Sequence, residues 1–128
     1  MRSRTAAMWW GVAIEAPDPG ALATFYSALL GWPVVHATPD VAIVQPPQPG
    51  VFVVCQRAEG YVAPTWPPAD GSQRPMAHLD VQVGDLDEAA AEAVALGASL
   101  ADHQPQDHVR VMLDPAGHPF CLCLETED

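Results

Sequence analysis

Apolar and polar residues alternate over positions 12–18, and this period of two is typical of a half-buried β-strand. The period then changes to that of an amphipathic helix over residues 22–30. Asp18 followed by Pro19 is a favourable helix start, and Gly31 is a favourable stop. The pattern therefore predicts a strand followed by a helix that packs its apolar side against a sheet.

The same strand-then-helix pattern returns 67 residues later, over 79–85. Asp85 is the predicted cap of the second helix, and Glu88 follows three residues later, as in a capping box. This helix is predicted to stop at Gly97, as the first stops at Gly31. Self-similarity at a fixed offset predicts the duplication of one supersecondary unit.

Short strand-like segments follow the predicted helices and are separated by turns rich in proline and glycine. These segments are 32–37, 41–45 and 51–56 in the first half, and 109–113 and 120–124 in the second. Two hairpin turns are predicted between the last strands of each half, at 45–50 and 114–119. The segment 57–75 contains Tyr61 and Trp66 and is too long for an ordinary connection, which predicts a linker or a pocket lid.

Length and charge limit the classes of function. A chain of 128 residues suits one domain. Five Lys and Arg residues against 16 Asp and Glu residues give a net charge of -11, which disfavours nucleic acid and favours solubility or attraction of a cationic ligand. The apolar run at 6–14 is too short to span a membrane. Three cysteines cannot all pair, so we expect reduced thiols and a cytoplasmic protein without a membrane partner.

A duplicated βαβββ unit that carries Phe25-Tyr26, Leu30-Gly31, Ala77-His78-Leu79-Asp80 and Asp114-Pro-Ala-Gly resembles the vicinal oxygen chelate superfamily. The likeness is to its small glyoxalase-like and bleomycin-resistance-like members. It implies an α+β fold in which curved, mostly antiparallel sheets surround a cavity, with the helices outside, commonly in a homodimer. We therefore expect a single domain with module one at about 8–57, a linking loop at about 58–75 and module two at about 76–126.

Strand parity then selects the residues that face the implied cavity. Together with two tryptophans suited to stacking, these predicted ligand-binding residues are Trp9, Gly11, Ala13, Glu15, Phe52, Val54, Gln56, Trp66, His78, Asp80 and Cys121. The same inward series includes Gln82, Cys123 and Glu125. Trp10 and Trp32 are expected in the core, and His118 is expected to be solvated within a turn.

Metal-dependent members of the superfamily place ligands on the first and last strands of each half, and the resemblance matches these positions to Gly11, Gln56, His78 and Cys121. Glycine offers no donor, and Gln56 is a weak neutral one. His78 is a conventional ligand that Cys121 could join around zinc, but a stable zinc site needs three strong ligands. We expect no metal cofactor, with a divalent ion as the less favoured alternative.

The favoured hypothesis is a metal-independent small-molecule-binding protein, which sequesters an aromatic natural product or drug in a resistance-type role. The alternative is a metal-dependent glyoxalase-like lyase or isomerase, or a dioxygenase. A cofactor-free enzyme that uses Glu15, His78 and Asp80 as acid–base groups is also open. A third possibility is a regulatory or structural dimer without a ligand. No residue is assigned a catalytic role.

Overall fold

The computed structural model describes residues 1–124, so Glu125 of the predicted inward series lies outside the described residues. The chain divides into two compact units, Met1–Glu59 and a second unit that begins at Gly60. The first unit contains β1 (Trp10–Ala16), α1 (Pro19–Leu30), β2 (Val34–Ala37), β3 (Val41–Val44) and β4 (Val51–Arg57). The second contains β5 (Leu79–Val83), α2 (Leu86–Leu96), β6 (Ser99–Leu100), β7 (Val109–Leu113) and β8 (Pro119–Leu124).

Each unit forms one mixed four-stranded sheet, and the two sheets have equivalent strand orders, β1-β4-β3-β2 and β5-β8-β7-β6. The first and last strands of each unit run parallel, and the other neighbours run antiparallel. Helix α1 packs on β3 and β4, and α2 contacts β6, β7 and β8. The α+β class, the duplicated order of elements and the mostly antiparallel pairing are therefore confirmed.

The helix ends follow the predicted local chemistry. The Asp18 carboxylate accepts a hydrogen bond of 3.1 Å from the backbone N–H of Ala21, and Asp85 caps α2 in the same way with a bond of 2.8 Å. Gly31 and Gly97 end the two helices with φ angles of 71° and 118°, which residues with a Cβ rarely adopt. The two helices therefore begin and end where the sequence predicts.

Strands β1, β3 and β5 alternate between a more buried side and a more exposed side, as a period of two requires. In β1 the more buried side carries Val12, Ile14 and Ala16, and the exposed side carries Gly11, Ala13 and Glu15. The two units bury separate sets of apolar side chains, which include Leu22, Phe25, Tyr26, Val44, Val53 and Cys55 in the first and Val111, Met112, Phe120 and Leu122 in the second.

Three local features differ from the sequence predictions. The short strand β6 is absent from the predicted set, because two residues are too few to show a period. Trp10 is 52% exposed rather than buried, since it begins β1 beside an open groove. His118 is only partly exposed, because Tyr61 from the long connecting segment lies against it with 3.2 Å between the Tyr61 hydroxyl and Nε2 of His118.

No helix within residues 1–124 is both long enough and apolar enough to cross a membrane.

Removing a core side chain from β8 tests the packing of the second sheet. Leu122 is 1% exposed, so Leu122→Ala is expected to lower the free energy of unfolding by about 2–5 kcal/mol through lost burial and a residual cavity. Urea denaturation followed by circular dichroism measures this change. Leu100→Ala is the matched control, because Leu100 is 51% exposed, and an equal loss in both variants would contradict the assigned core.

Candidate functional site

The predicted inward residues of the first unit lie in register on two parallel strands. Three cross-strand pairs on the same side of the sheet are Gly11 with Phe52, Ala13 with Val54, and Glu15 with Gln56. The remaining predicted residue of this half, Trp9, contacts Phe52 with 5.5 Å between ring centroids. The six strand residues thus share one face of the sheet. Trp9 adds a second aromatic ring beside Phe52 at one end of this face, which we call the aromatic end.

An open groove of about 780 Å³ lies at this aromatic end, within the first unit. Trp9 and Phe52 line it, whereas the other five predicted residues of the first unit do not. The rest of the groove comes from the N-terminal segment and the proline-rich turn between β3 and β4, with Met8, Trp10, Pro46, Pro47 and Pro49 among its lining residues. That turn is predicted from the sequence only as a hairpin connection, although its three prolines offer apolar surface for a groove wall.

A smaller pocket of about 200 Å³ lies within the second unit. Three predicted residues, Trp66, His78 and Cys121, come together in its wall. Its remaining lining residues are mostly apolar, and they are Pro68, Pro75, Met76, Ala77, Val111 and Pro119. Sequence reasoning did not include these six residues. The proline-rich composition of the connecting segment was a signal for Pro68 and Pro75, whereas Val111 of β7 and Pro119 of β8 reach the pocket wall through the fold of the sheet.

Trp66 is held in place by a residue outside the predicted site. Its indole N–H donates a hydrogen bond of 3.1 Å to the backbone carbonyl of His103. The centroids of the Trp66 and His103 rings are 6.1 Å apart. The connecting segment is further attached to the β7–β8 turn, where the Tyr61 hydroxyl donates to the carbonyl of Ala116 at 2.6 Å. The segment is therefore part of the pocket wall in the second unit.

The polar end of the pocket is built by the parallel pairing of β5 with β8. Asp80 lies directly beside Cys121 in this register, and Oδ1 of Asp80 is 3.2 Å from Nε2 of His78. The Cys123 thiol lies 4.0 Å from the same oxygen. Asp80 does not line the pocket itself but adjoins two residues that do.

Both thiols at this end are poor nucleophiles at neutral pH. Burial, followed by the nearby Asp80 carboxylate, raises the pKa of Cys121 to about 11. The same two causes raise the pKa of Cys123. A thiol attacks or binds a metal only as the thiolate, so neither cysteine is prepared for covalent catalysis without a further cation.

The sequence model of the family described as "Glyoxalase-like domain" matches residues 11–123. The chain belongs to this family, within the vicinal oxygen chelate superfamily. None of the curated proteins matches the sequence.

Solved structures of glyoxalase-like proteins share the fold at low sequence identity. A glyoxalase-related enzyme from Fulvimarina pelagi is 19% identical with a TM-score of 0.65, over 92% of this chain and 88% of that one. A glyoxalase/bleomycin resistance protein/dioxygenase family enzyme from Burkholderia phytofirmans PsJN is 16% identical with a TM-score of 0.65, over 88% and 94%. A glyoxalase/bleomycin resistance protein from Albidiferax ferrireducens T118 is 20% identical with a TM-score of 0.63, over 93% and 99%.

The four positions that the superfamily uses for a metal do not form a ligand set in this glyoxalase-like protein. Gly11 has no donor, and a Cβ built on it would lie 2.7 Å from the backbone oxygen of Phe52. A side chain at this position therefore requires the two strands to move apart. Gln56 supplies only a neutral amide, which is a weak ligand.

The strand register also corrects one equivalence between the two halves. Cys121 stands beside Asp80 as Val54 stands beside Ala13, so Cys121 corresponds to Val54. The counterpart of Gln56 is Cys123, not Cys121. Gln56 and Cys121, which the resemblance matches to the last strand of each half, therefore do not occupy equivalent positions, because each pairs with a different position of its neighbouring strand.

The close approach at Gly11 gives a direct test of this packing. Gly11→Ala is expected to lower the free energy of unfolding by about 1–3 kcal/mol, because β1 must shift away from Phe52. Gly84→Ala is the matched control, since a Cβ there meets no atom within 4 Å. Chemical denaturation of both variants measures the difference, and equal stabilities would contradict the steric argument.

Proposed function

We propose that this glyoxalase-like protein binds a small aromatic molecule in the pocket of its second unit, without a metal ion, and sequesters it unchanged. The observation that carries this proposal is the mostly apolar pocket beside Trp66, His78 and Cys121. Burial of apolar ligand surface in such a pocket contributes roughly 25 cal/mol per Å². Affinity then comes from the pocket walls, and no bond of the ligand has to be broken.

The size of the pocket narrows the class of ligand. Its volume of about 200 Å³ lies between a benzene-binding cavity of about 150 Å³ and the roughly 300–1,000 Å³ of pockets for drug-sized molecules. A one-ring or two-ring aromatic molecule fits this volume. A larger natural product or drug would place only one ring system inside.

Trp66 is the residue best suited to contact such a ring. Its polar N–H already donates to the His103 carbonyl, so its remaining surface is available for apolar contact. Aromatic pairs contribute about 0.5–1.5 kcal/mol beyond the burial of area. Stacking on Trp66 therefore favours flat aromatic ligands over aliphatic ligands of the same volume.

Charge distinguishes further among aromatic ligands. The chain carries a net charge of -11, and the Asp80 carboxylate adjoins the polar end of the pocket. A negative surface raises the association rate of cations and lowers that of anions. The preferred ligand is therefore neutral or cationic.

Aromatic binding is tested with quinoline and 2-naphthol as probes, by isothermal titration calorimetry in buffer that contains EDTA. Saturable binding with a stoichiometry of one is expected. Trp66→Ala is expected to weaken it about tenfold, which corresponds to about 1.4 kcal/mol of lost contact. Trp9→Ala is the matched control, because Trp9 lines the separate groove of the first unit.

Two further measurements complete this test. Chromatography after prolonged incubation is expected to recover the probe unchanged, as sequestration requires. The absence of saturable binding in the EDTA buffer would contradict the proposal. Equal weakening of binding in Trp66→Ala and Trp9→Ala would also contradict it.

A matched pair of charged probes tests the electrostatic preference. N-Methylquinolinium is expected to associate faster than 2-naphthoate, and the difference is expected to shrink as salt rises, because the Debye length falls to about 8 Å at 0.15 M. Stopped-flow quenching of tryptophan fluorescence measures both rates. Equal rates at low salt would show that charge does not select the ligand.

The homodimer and the cytoplasmic location remain predictions. Sedimentation velocity of the purified chain tests the first, and fractionation of expressing cells tests the second.

A further inference from the structure

Three side chains of different metal-binding classes meet in the second unit. His78 offers an imidazole nitrogen, Asp80 a carboxylate oxygen and Cys121 a sulfur, and these ligand atoms all lie within 4.8 Å of one another. Each belongs to a class of group that binds zinc in proteins.

The backbone accounts for this convergence without any long loop. His78 directly precedes β5 and is separated from Asp80 by one residue, and their side chains approach to 3.2 Å between Nε2 and Oδ1. The parallel register then places Cys121 of β8 directly beside Asp80 of β5. Asp80 and Cys121 thus lie on two neighbouring strands of one sheet, and His78 directly precedes the first of these strands.

The spacing of the donor atoms is close to what a tetrahedral ion requires. Zinc bonds of about 2.0–2.1 Å to nitrogen or oxygen and about 2.3 Å to sulfur place neighbouring donor atoms roughly 3.3–3.6 Å apart. The distance from Nε2 of His78 to Oδ1 of Asp80 is 3.2 Å. The third donor, the Cys121 sulfur, lies within 4.8 Å of the other two ligand atoms.

We propose that His78, Asp80 and Cys121 form a binding site for a thiophilic divalent cation of the zinc class. An imidazole and a thiolate beside one carboxylate favour zinc over magnesium or calcium, which take mainly oxygen ligands. On binding, the sulfur–metal bond forms and the thiol proton passes to solvent. Three protein ligands leave one position of a tetrahedral ion open to water.

This site shares His78 and Cys121 with the set implied by the superfamily resemblance and differs from it in the third ligand. That set takes its other members, Gly11 and Gln56, from the first half of the chain, whereas the site proposed here uses Asp80 of the second half. His78 and Cys121 also line the aromatic pocket, so a bound ion borders that pocket. The proposed function does not depend on the ion, because its binding test is carried out in EDTA.

Cobalt and zinc titrations of the full chain, first stripped with EDTA, test the cation site. Cobalt is expected to bind with a stoichiometry of one and to show sulfur-to-cobalt charge-transfer absorption, which zinc displaces and excess magnesium does not. Elemental analysis after dialysis against zinc measures the same stoichiometry. Absence of charge-transfer absorption, or displacement of cobalt by magnesium, would overturn the proposal.

Variants decide which groups bind the ion. His78→Ala, Asp80→Asn and Cys121→Ser are each expected to weaken cobalt binding by more than the roughly 10- to 100-fold that loss of an outer-shell partner causes. His78 and Asp80 have side chains that are 52% and 61% exposed, so their variants are expected to stay folded even if Cys121→Ser does not. Circular dichroism verifies the fold of each variant.

Two controls keep the test specific. Cys123→Ser removes the other thiol near Asp80, and His36→Ala removes an exposed histidine of β2 in the first unit. Both are expected to keep the affinity and the absorption of the parent chain. Full binding in Cys121→Ser, or equal loss in Cys123→Ser, would overturn the assignment of the sulfur ligand.

Discussion

The parallel pairing between the first and last strands of each unit is the constraint on which both candidate sites depend. In β5 and β8 this pairing sets Asp80 beside Cys121, while the alternate positions Phe120 and Leu122 are buried in the core. A shift of either strand by one residue would exchange the two faces. Burial of Phe120 and Leu122 in the core therefore also fixes Asp80 and Cys121 on the opposite face of the sheet.

The same backbone arrangement carries different chemistry in the two halves. At an offset of 67 residues, Gly11 and Ala13 correspond to His78 and Asp80, and Val54 corresponds to Cys121. The first half thus has small or apolar residues where the second half has three potential ligands. Gly11 also allows β1 to approach Phe52 more closely than a residue with a Cβ allows. The absence of a side-chain donor at this position therefore accompanies the close packing of the two strands.

The pocket of the second unit combines the regular sheet with an irregular segment. β5 and β8 position the polar groups, whereas the segment before β5 supplies Trp66 and several prolines. Hydrogen bonds from Trp66 to His103 and from Tyr61 to Ala116 attach this segment to the rest of the unit. The connecting segment therefore adds the aromatic ring of Trp66 to a pocket whose polar residues, His78 and Cys121, come from the position directly before β5 and from β8.

The sequence by itself determined the order of the helices and of every strand except the two-residue β6, the two helix caps, and the alternating faces of strands such as β1 and β5. These features depend on local chemistry, because Asp18 and Asp85 bond to amides three residues away and strand faces follow a period of two. Only the tertiary structure decided that Cys121 corresponds to Val54, that Tyr61 partly covers His118, and that His78, Asp80 and Cys121 meet. Each of these facts depends on the register between strands or on the path of a long segment, and neither is encoded in the spacing of residues along the chain.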